Sequence, residues 1–183
     1  MTMISAAYEE RVWQTLRELG ISPSNVTQVR GPLHRECAGA ELVSIGLDRF
    51  GREQRLERRT AARWQSMLAA TEVDAIKLEA ISGFRSFDYQ RQLIERKLAA
   101  GLTVEQIVRV NALPGFSEHH TGRAIDIGTP GSPPVTAEFE QTPAFGWLTQ
   151  RGQDFGFRMT YPRDNPFGII YEPWHWLCEE PAA

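Results

Sequence analysis

Three of the four histidines fall in two short segments dense in groups that bind metals or move protons. The first segment is Ser117-Glu118-His119-His120-Thr121-Gly122-Arg123-Ala124-Ile125-Asp126, and the second is Tyr171-Glu172-Pro173-Trp174-His175-Trp176. Imidazole and carboxylate suit Zn²⁺, and three protein ligands plus one open position is the catalytic arrangement of that ion. His119 and Asp126 are seven residues apart, so on one continuous strand they would point to opposite faces. Gly122 lies between them and can supply a turn, after which Ala124 and Asp126 share a face and His119 and Asp126 can converge on one ion. Glu172 and His175 are separated by three positions and pose the same problem. Pro173 lacks a backbone donor and can mark a bulge or strand end, so that His175 binds the metal while Glu172 reaches a water on it. The competing reading is a set of satisfied polar core residues, because short His/Asp patterns also arise by chance.

The elements that must position these groups follow from periodicity. Tyr8, Val12, Leu16 and Leu19 fall on one helical face over residues 5–19, with Gly20 as a stop. Residues 21–50 are mixed, broken by Pro23, Gly31 and Pro32, and a second helix is predicted over 52–70 with a solvated Arg-rich surface. Alternation of Ile76, Leu78 and Ala80 with Lys77 and Glu79 predicts a strand ending at Ser82-Gly83. A third helix begins near Phe87, capped by Ser86, with Gly101 beyond its end. Thr103 and Gln106 form a capping box for a short helix over 103–110. Further strands are predicted at 123–127, 157–161 and 169–177, and a helix at 142–152 turns Trp147 and Leu148 inward. Strands clustered after helices give an α+β fold with a small antiparallel sheet carrying the metal site, helices on one side and an N-terminal helical region. No repeat or linker divides the chain, so residues 1–183 read as a single domain, mainly helical over 1–73, with the chemical core at 74–178.

Bulk properties exclude several classes. The net charge is −3 and the pI about 5.8, so no basic face for nucleic acid is expected. The 18 arginines against 2 lysines carry no mechanistic content. No run of about 18 apolar residues is present, which argues against a membrane span, and a monomer is expected. Glu9, Glu10 and Arg11 stand where a signal peptide would be apolar, so the expected location is cytoplasmic unless an export signal precedes residue 1. Cys37 and Cys178 match no zinc or redox spacing and read as two free buried thiols.

Read together, S-x-H-x-x-G-x-A-x-D at 117–126, E-P-W-H at 172–175 and Ser82-Gly83-Phe84-Arg85-Ser86 upstream resemble the VanY-type zinc D-alanyl-D-alanine carboxypeptidases, a group related to lysostaphin and to the hedgehog signalling domain. The resemblance covers residues 74–178. It implies one Zn²⁺ held by His119, Asp126 and His175, with Glu172 as catalytic acid/base and Arg85 beside the substrate carbonyl or terminal carboxylate. Phe84 departs from the usual Tyr of this group and removes a hydroxyl next to Arg85. Gln90, near the start of the third helix, resembles a substrate contact of related L,D-carboxypeptidases, and Ser117 is a second candidate; capping or surface polarity is the alternative for both. His120 reads as a neighbour of the metal, since a fourth ligand would close the open site. His34 reads as structural or exposed, and Trp174 and Trp176 as packing residues.

The chemistry implied is peptide hydrolysis. Zinc lowers the pKa of a water toward ~7, Glu172 takes the proton and returns it to the leaving amine, and Arg85 grips a carboxylate through two parallel hydrogen bonds. The expected partner is a peptidoglycan stem peptide or muropeptide that loses its terminal D-amino acid, with D,D and L,D cleavage both open. An endopeptidase of the same group, or a zinc-stabilised binding domain without catalysis, are the alternatives; Glu172 speaks against the latter.

Overall fold

A computed structural model describes residues 4–22 and 31–179; the expected break at Pro23 lies outside the described residues. Helix α1, Ala6–Glu18, is capped by the Ser5 side chain, which accepts from the Tyr8 N–H. Its Val12 and Leu16 are buried.

The predicted helix over 52–70 is in part a strand. β1, Leu42–Leu47, pairs antiparallel with β2, Glu53–Glu57, and helix α2 begins only at Arg58 and runs to Val73. The Glu-Gln-Arg-Leu-Glu run of β2 contains good helix formers, but Gln54 and Leu56 alternate inward against β1, and that pairing overrides local preference. The turn between the strands is built on Asp48, whose carboxylate accepts the backbone N–H groups of Phe50 and Arg52. Glu57 ends the strand and caps α2, accepting from the Arg59 and Thr60 N–H groups. The described part of the chain before residue 74 therefore holds a hairpin besides helices α1 and α2.

The remaining elements are strand β3, Glu79–Ser82; helix α3, Phe87–Ala99, capped by Ser86; helix α4, Val104–Val108, with its Thr103/Gln106 capping box; strand β4, Ala124–Gly128; helix α5, Pro143–Arg151; strand β5, Phe157–Met159; and strand β6, His175–Cys178. Four of the strands form one antiparallel sheet in the order β3-β4-β6-β5. The fold is α+β, as the sequence pattern implied.

Alternation splits the sheet into an oily face and a polar face. Ile125, Ile127, Trp176 and Cys178 point into a core with Trp64 and Met67 of α2 and Trp147 and Leu148 of α5. Asp126 and His175 are direct register partners and so emerge together on the opposite face. A second core unites Val12 and Leu16 of α1 with Phe87 and Ile94 of α3 and Leu113 and Phe116. Both tryptophans of the Trp174-His175-Trp176 stretch belong to the first core, in keeping with a packing role. Cys178 is buried, whereas Cys37 is partly exposed; both are free.

The predicted strand over 169–177 is reduced to His175–Cys178. Residues 172–175 form a turn closed by the His175 N–H donating to the Glu172 carbonyl at 3.1 Å. Pro173, at the second position of that turn, has its φ pre-set for the bend and no donor for a ladder.

Gly122 ends the turn that carries His119. Its φ is +68°, and a Cβ there would stand 2.9 Å from the Glu57 backbone nitrogen and 3.1 Å from a Leu42 methyl. Backbone strain of this kind costs about 1–3 kcal/mol, and the close approach to β1 and β2 adds to it. Gly122→Ala is expected to lower the thermal midpoint by at least several degrees; a scanning calorimetry trace coincident with wild type would show that the turn tolerates a side chain.

Candidate metal centre and substrate pocket

Two short turns and one cross-strand pair assemble the site. The 3₁₀ turn Glu118–Thr121 presents His119, β4 presents Asp126 and β6 presents His175. The turn is locked to the Gly83–Ser86 segment. His119 Nδ1 lies 2.6 Å from the Gly83 carbonyl, His120 Nδ1 lies 2.7 Å from the Arg85 carbonyl, and the Arg85 N–H donates to the His119 carbonyl at 3.2 Å. Gly83 is required at its position because a Cβ would fall 2.5 Å from the Arg55 carbonyl oxygen.

His119, Asp126 and His175 come together: one candidate ligand atom from each lies within 4.8 Å of the others, and all three residues are buried. Asp126 Oδ1 is 3.3 Å from His119 Nε2 and 3.1 Å from His175 Nδ1. His119 Nδ1 faces a carbonyl, so it carries the ring proton and Nε2 keeps its lone pair. That Nε2 is fully buried and has no hydrogen-bond partner. A lone pair aimed at a carboxylate oxygen in a dry interior calls for a cation between them. The donor set of two imidazoles and one carboxylate, with room for a fourth group, fits a single metal ion.

The electrostatics agree with this fit. Burial, aided by the Arg85 charge, lowers His119 to about 4 and keeps it neutral. Burial opposes ionisation of Asp126, but His119, His175 and Arg85 outweigh it and hold the group ionised far below the usual carboxylate range. Burial also opposes a second proton on His175, yet its hydrogen bonds to Asp126 and Glu118 push it up to about 10. His120 is no ligand: its Nε2 accepts from the Gly115 N–H at 3.1 Å and its Nδ1 serves Arg85.

One pocket, lined by Arg85, Gln90, Ser117, Tyr161, Glu172 and His175 among others, opens onto this centre with about 310 Å³ of empty space. Glu172 lies on its wall, and burial is the chief cause that raises its carboxyl to about 7. Arg85 divides its fork: Nη2 reaches Asp126 Oδ2 at 3.2 Å, while Nε is buried without a partner. Gln90 is buried, donates its amide N–H to the Ala112 carbonyl at 2.7 Å, and keeps Oε1 without a partner. Ser117 is buried and its hydroxyl makes no capping bond. Neither residue is surface polarity or a helix cap. His34, expected to be structural or exposed, is partly buried and lines a smaller side pocket with Phe116, Glu118 and Tyr161.

Two residues escaped the sequence reading. Tyr161 lays its ring 4.7 Å from the His175 ring and lines the pocket. Glu118 Oε2 lies 2.8 Å from His175 Nε2. Glu118 stands inside the quoted motif, next to His119, but nothing in the local pattern reveals a partner 57 residues away.

A family model for the D-alanyl-D-alanine carboxypeptidases, VanY, matches residues 53–178. The chain belongs to the VanY family. Among its relatives, the bifunctional D-Ala-D-Ala dipeptidase and D-Ala-D-Ala carboxypeptidase VanXYC of Enterococcus gallinarum is 34% identical over 127 residues, covering 66% of this chain and 65% of that one. The LdcB LD-carboxypeptidase structure superposes with a TM-score of 0.69 at 26% identity, over 78% of this chain and 69% of that one. The vancomycin-resistance D,D-pentapeptidase VanY, solved in complex with Zn(II), superposes with a TM-score of 0.60 at 26% identity, over 82% of this chain and 88% of that one. The chain spans between 27% and 65% of the length of the curated relatives it matches. Among the described residues, no helix is long and apolar enough to cross a membrane.

Metal ligands must shed their protons to bind, and His175 is pushed up to about 10. Titration with Zn(II) near neutral pH is therefore expected to saturate at one ion per chain and to release about one proton. Calorimetry in two buffers of different ionisation enthalpy measures both. Binding without proton release would mean that His175 is not displaced from its acidic partners.

Proposed function

We propose that this VanY-family chain is a zinc-dependent carboxypeptidase that removes the terminal D-amino acid, D-alanine, from peptidoglycan stem peptides or muropeptides. The observation that carries this reading is the partly buried Glu172 carboxyl, raised to about 7, sharing one pocket with Arg85 and with His175 of the three-donor cluster. A binding site alone has no use for a carboxyl poised near neutrality beside a metal centre.

His119 Nε2, Asp126 Oδ1 and His175 Nδ1 would hold the zinc, which when bound supplies Lewis-acid polarisation and an acidified water. Glu172 takes a proton at its carboxylate from the water that attacks the peptide carbonyl, and returns it to the amine of the departing D-amino acid as the peptide bond breaks. Its raised pKa suits both halves of that task, since a group near the working pH both accepts and gives up a proton. Arg85 keeps one arm on Asp126 and offers the rest of its fork to the pocket, where a terminal carboxylate gains charge-assisted hydrogen bonds. Gln90 Oε1 and the Ser117 hydroxyl complete the polar wall. A second reading, cleavage after an L-centre of a tetrapeptide, is supported by the likeness to the LdcB LD-carboxypeptidase.

The decisive test is Glu172→Ala. It is expected to retain one zinc per chain while D-alanine release, from both tetrapeptide and pentapeptide, falls by roughly 10²–10⁴-fold. Full zinc with full activity would sink the reading, and lost zinc would make Glu172 a ligand. Mass spectrometry of the two wild-type digests separates L,D from D,D cleavage.

Arg85→Lys is expected to lower kcat/KM by roughly 10- to 100-fold, the value of a charge-assisted hydrogen bond that a point charge cannot duplicate. Unchanged kinetics would remove Arg85 from the substrate.

The pH profile carries its own sign. The base form of Glu172 is the active one, so kcat/KM falls as pH drops below its pKa. A neighbouring cation favours the carboxylate, so the midpoint is expected between the ordinary 4.5 and about 7. A flat profile across that window, with zinc retained, would exclude Glu172 as the base.

A further inference from the structure

We propose that Glu118 is the positioning residue of the metal centre: it pins His175 in the one tautomer and ring orientation that turn Nδ1 toward Asp126 and His119. The inference rests on the metal reading of the site and assigns it a residue to which that reading gives no role.

The two imidazoles reach the apex by different nitrogens. His119 offers Nε2, with Nδ1 held by the Gly83 carbonyl at 2.6 Å. His175 offers Nδ1, 3.1 Å from Asp126 Oδ1, with Nε2 held by Glu118 Oε2 at 2.8 Å. In each ring the nitrogen turned away from the apex is engaged. Among the described residues, Glu118 is the group that holds a proton on His175 Nε2, and a neutral imidazole with its proton on Nδ1 cannot bind a metal through that atom. Tyr161 fixes the plane of the ring from its face but cannot choose between the nitrogens.

Glu118 is itself 7% exposed. A carboxylate that deep is costly unless it is paired, and the described partner of its Oε2 is His175. An anionic partner behind a metal-binding imidazole raises the basicity of the opposite nitrogen and fixes the ring, and loss of such a partner weakens metal affinity by about 10- to 100-fold. The geometry also explains the economy of the Ser117-Glu118-His119 run. One short turn, pinned to the Gly83–Ser86 segment, supplies one ligand and orients the other.

The test compares wild type, Glu118→Gln and Glu118→Ala by zinc affinity in competition with a chelator, by ¹⁵N shifts of the His175 ring in the zinc-loaded protein, where the ring carries a single proton, and by metal-free melting. Glu118→Gln keeps an acceptor but loses the charge, and is expected to bind zinc about 10-fold more weakly with the Nε2–H tautomer retained. Glu118→Ala is expected to approach 100-fold and to mix the tautomers. Wild-type zinc affinity in both folded variants would overturn the proposal, as would lost hydrolysis with unaltered zinc affinity in Glu118→Gln, which would make Glu118 catalytic. A drop in metal-free melting alone, with affinity unmoved, would reduce Glu118 to a structural role. Failure of wild type itself to bind zinc would instead defeat the metal reading, and is seen before any variant is made.

Discussion

Asp126 and His175 face each other across neighbouring antiparallel strands, and the rest of the site is arranged around that pair. Direct opposition in the register brings a carboxylate and an imidazole within reach on the face turned away from the oily core. The oily face cannot slip without them, because a shift of one residue would carry Asp126 into the company of Trp64 and Trp147 and expose Ile125. Core packing and site geometry are thus enforced by the same strand register. His119 is then delivered to this fixed pair by a turn, and the turn is held to the Gly83–Ser86 segment by one backbone hydrogen bond and by the contacts of the His119 and His120 rings with the Gly83 and Arg85 carbonyls.

A dry site with three acidic groups, Glu118, Asp126 and Glu172, needs positive charge nearby. Arg85 supplies part of it and is anchored to Asp126 Oδ2. That anchoring changes how the arginine should be regarded. It belongs both to the scaffold that holds Asp126 and to the wall that meets a ligand, so its loss disturbs the centre as well as the pocket. The acidic groups are also differentiated by their surroundings. Asp126, beside two imidazoles and a guanidinium, is held ionised; Glu172, with burial dominant, is raised to about 7. Residues of the same chemistry acquire a binding and a proton-handling character from position alone.

What the sequence revealed depended on the range of the interaction concerned. Ser86, Thr103 and Gly122 act within a few residues, and their caps and turn were legible. The alternation Ala124, Asp126 correctly named the face of β4. The hairpin was hidden because Glu53–Glu57 is built of helix-forming residues and becomes a strand only through its partner β1. The strand expected at 169–177 is confined to His175–Cys178 because Glu172 opens a turn with Pro173 at its second position, although the same proline brings Glu172 and His175 to one side. Glu118 and Tyr161 were invisible since their common partner, His175, is remote in sequence. The division of Arg85 between Asp126 and the pocket likewise exists only in three dimensions.

The hairpin has a bearing on where the functional unit begins. From β2, the Arg55 carbonyl accepts the Phe84 N–H, the Gln54 side chain accepts the Gly83 N–H, and the Glu57 N–H donates to the Gly122 carbonyl. β2 is therefore a splint laid across both loops that carry the centre. Its own support is β1, which precedes the recognisable family region starting at residue 53. A fragment cut at that border would keep every chemical group and leave the splint without its only strand neighbour in that sheet. The boundary visible to sequence comparison and the boundary that mechanics requires are different places in the chain.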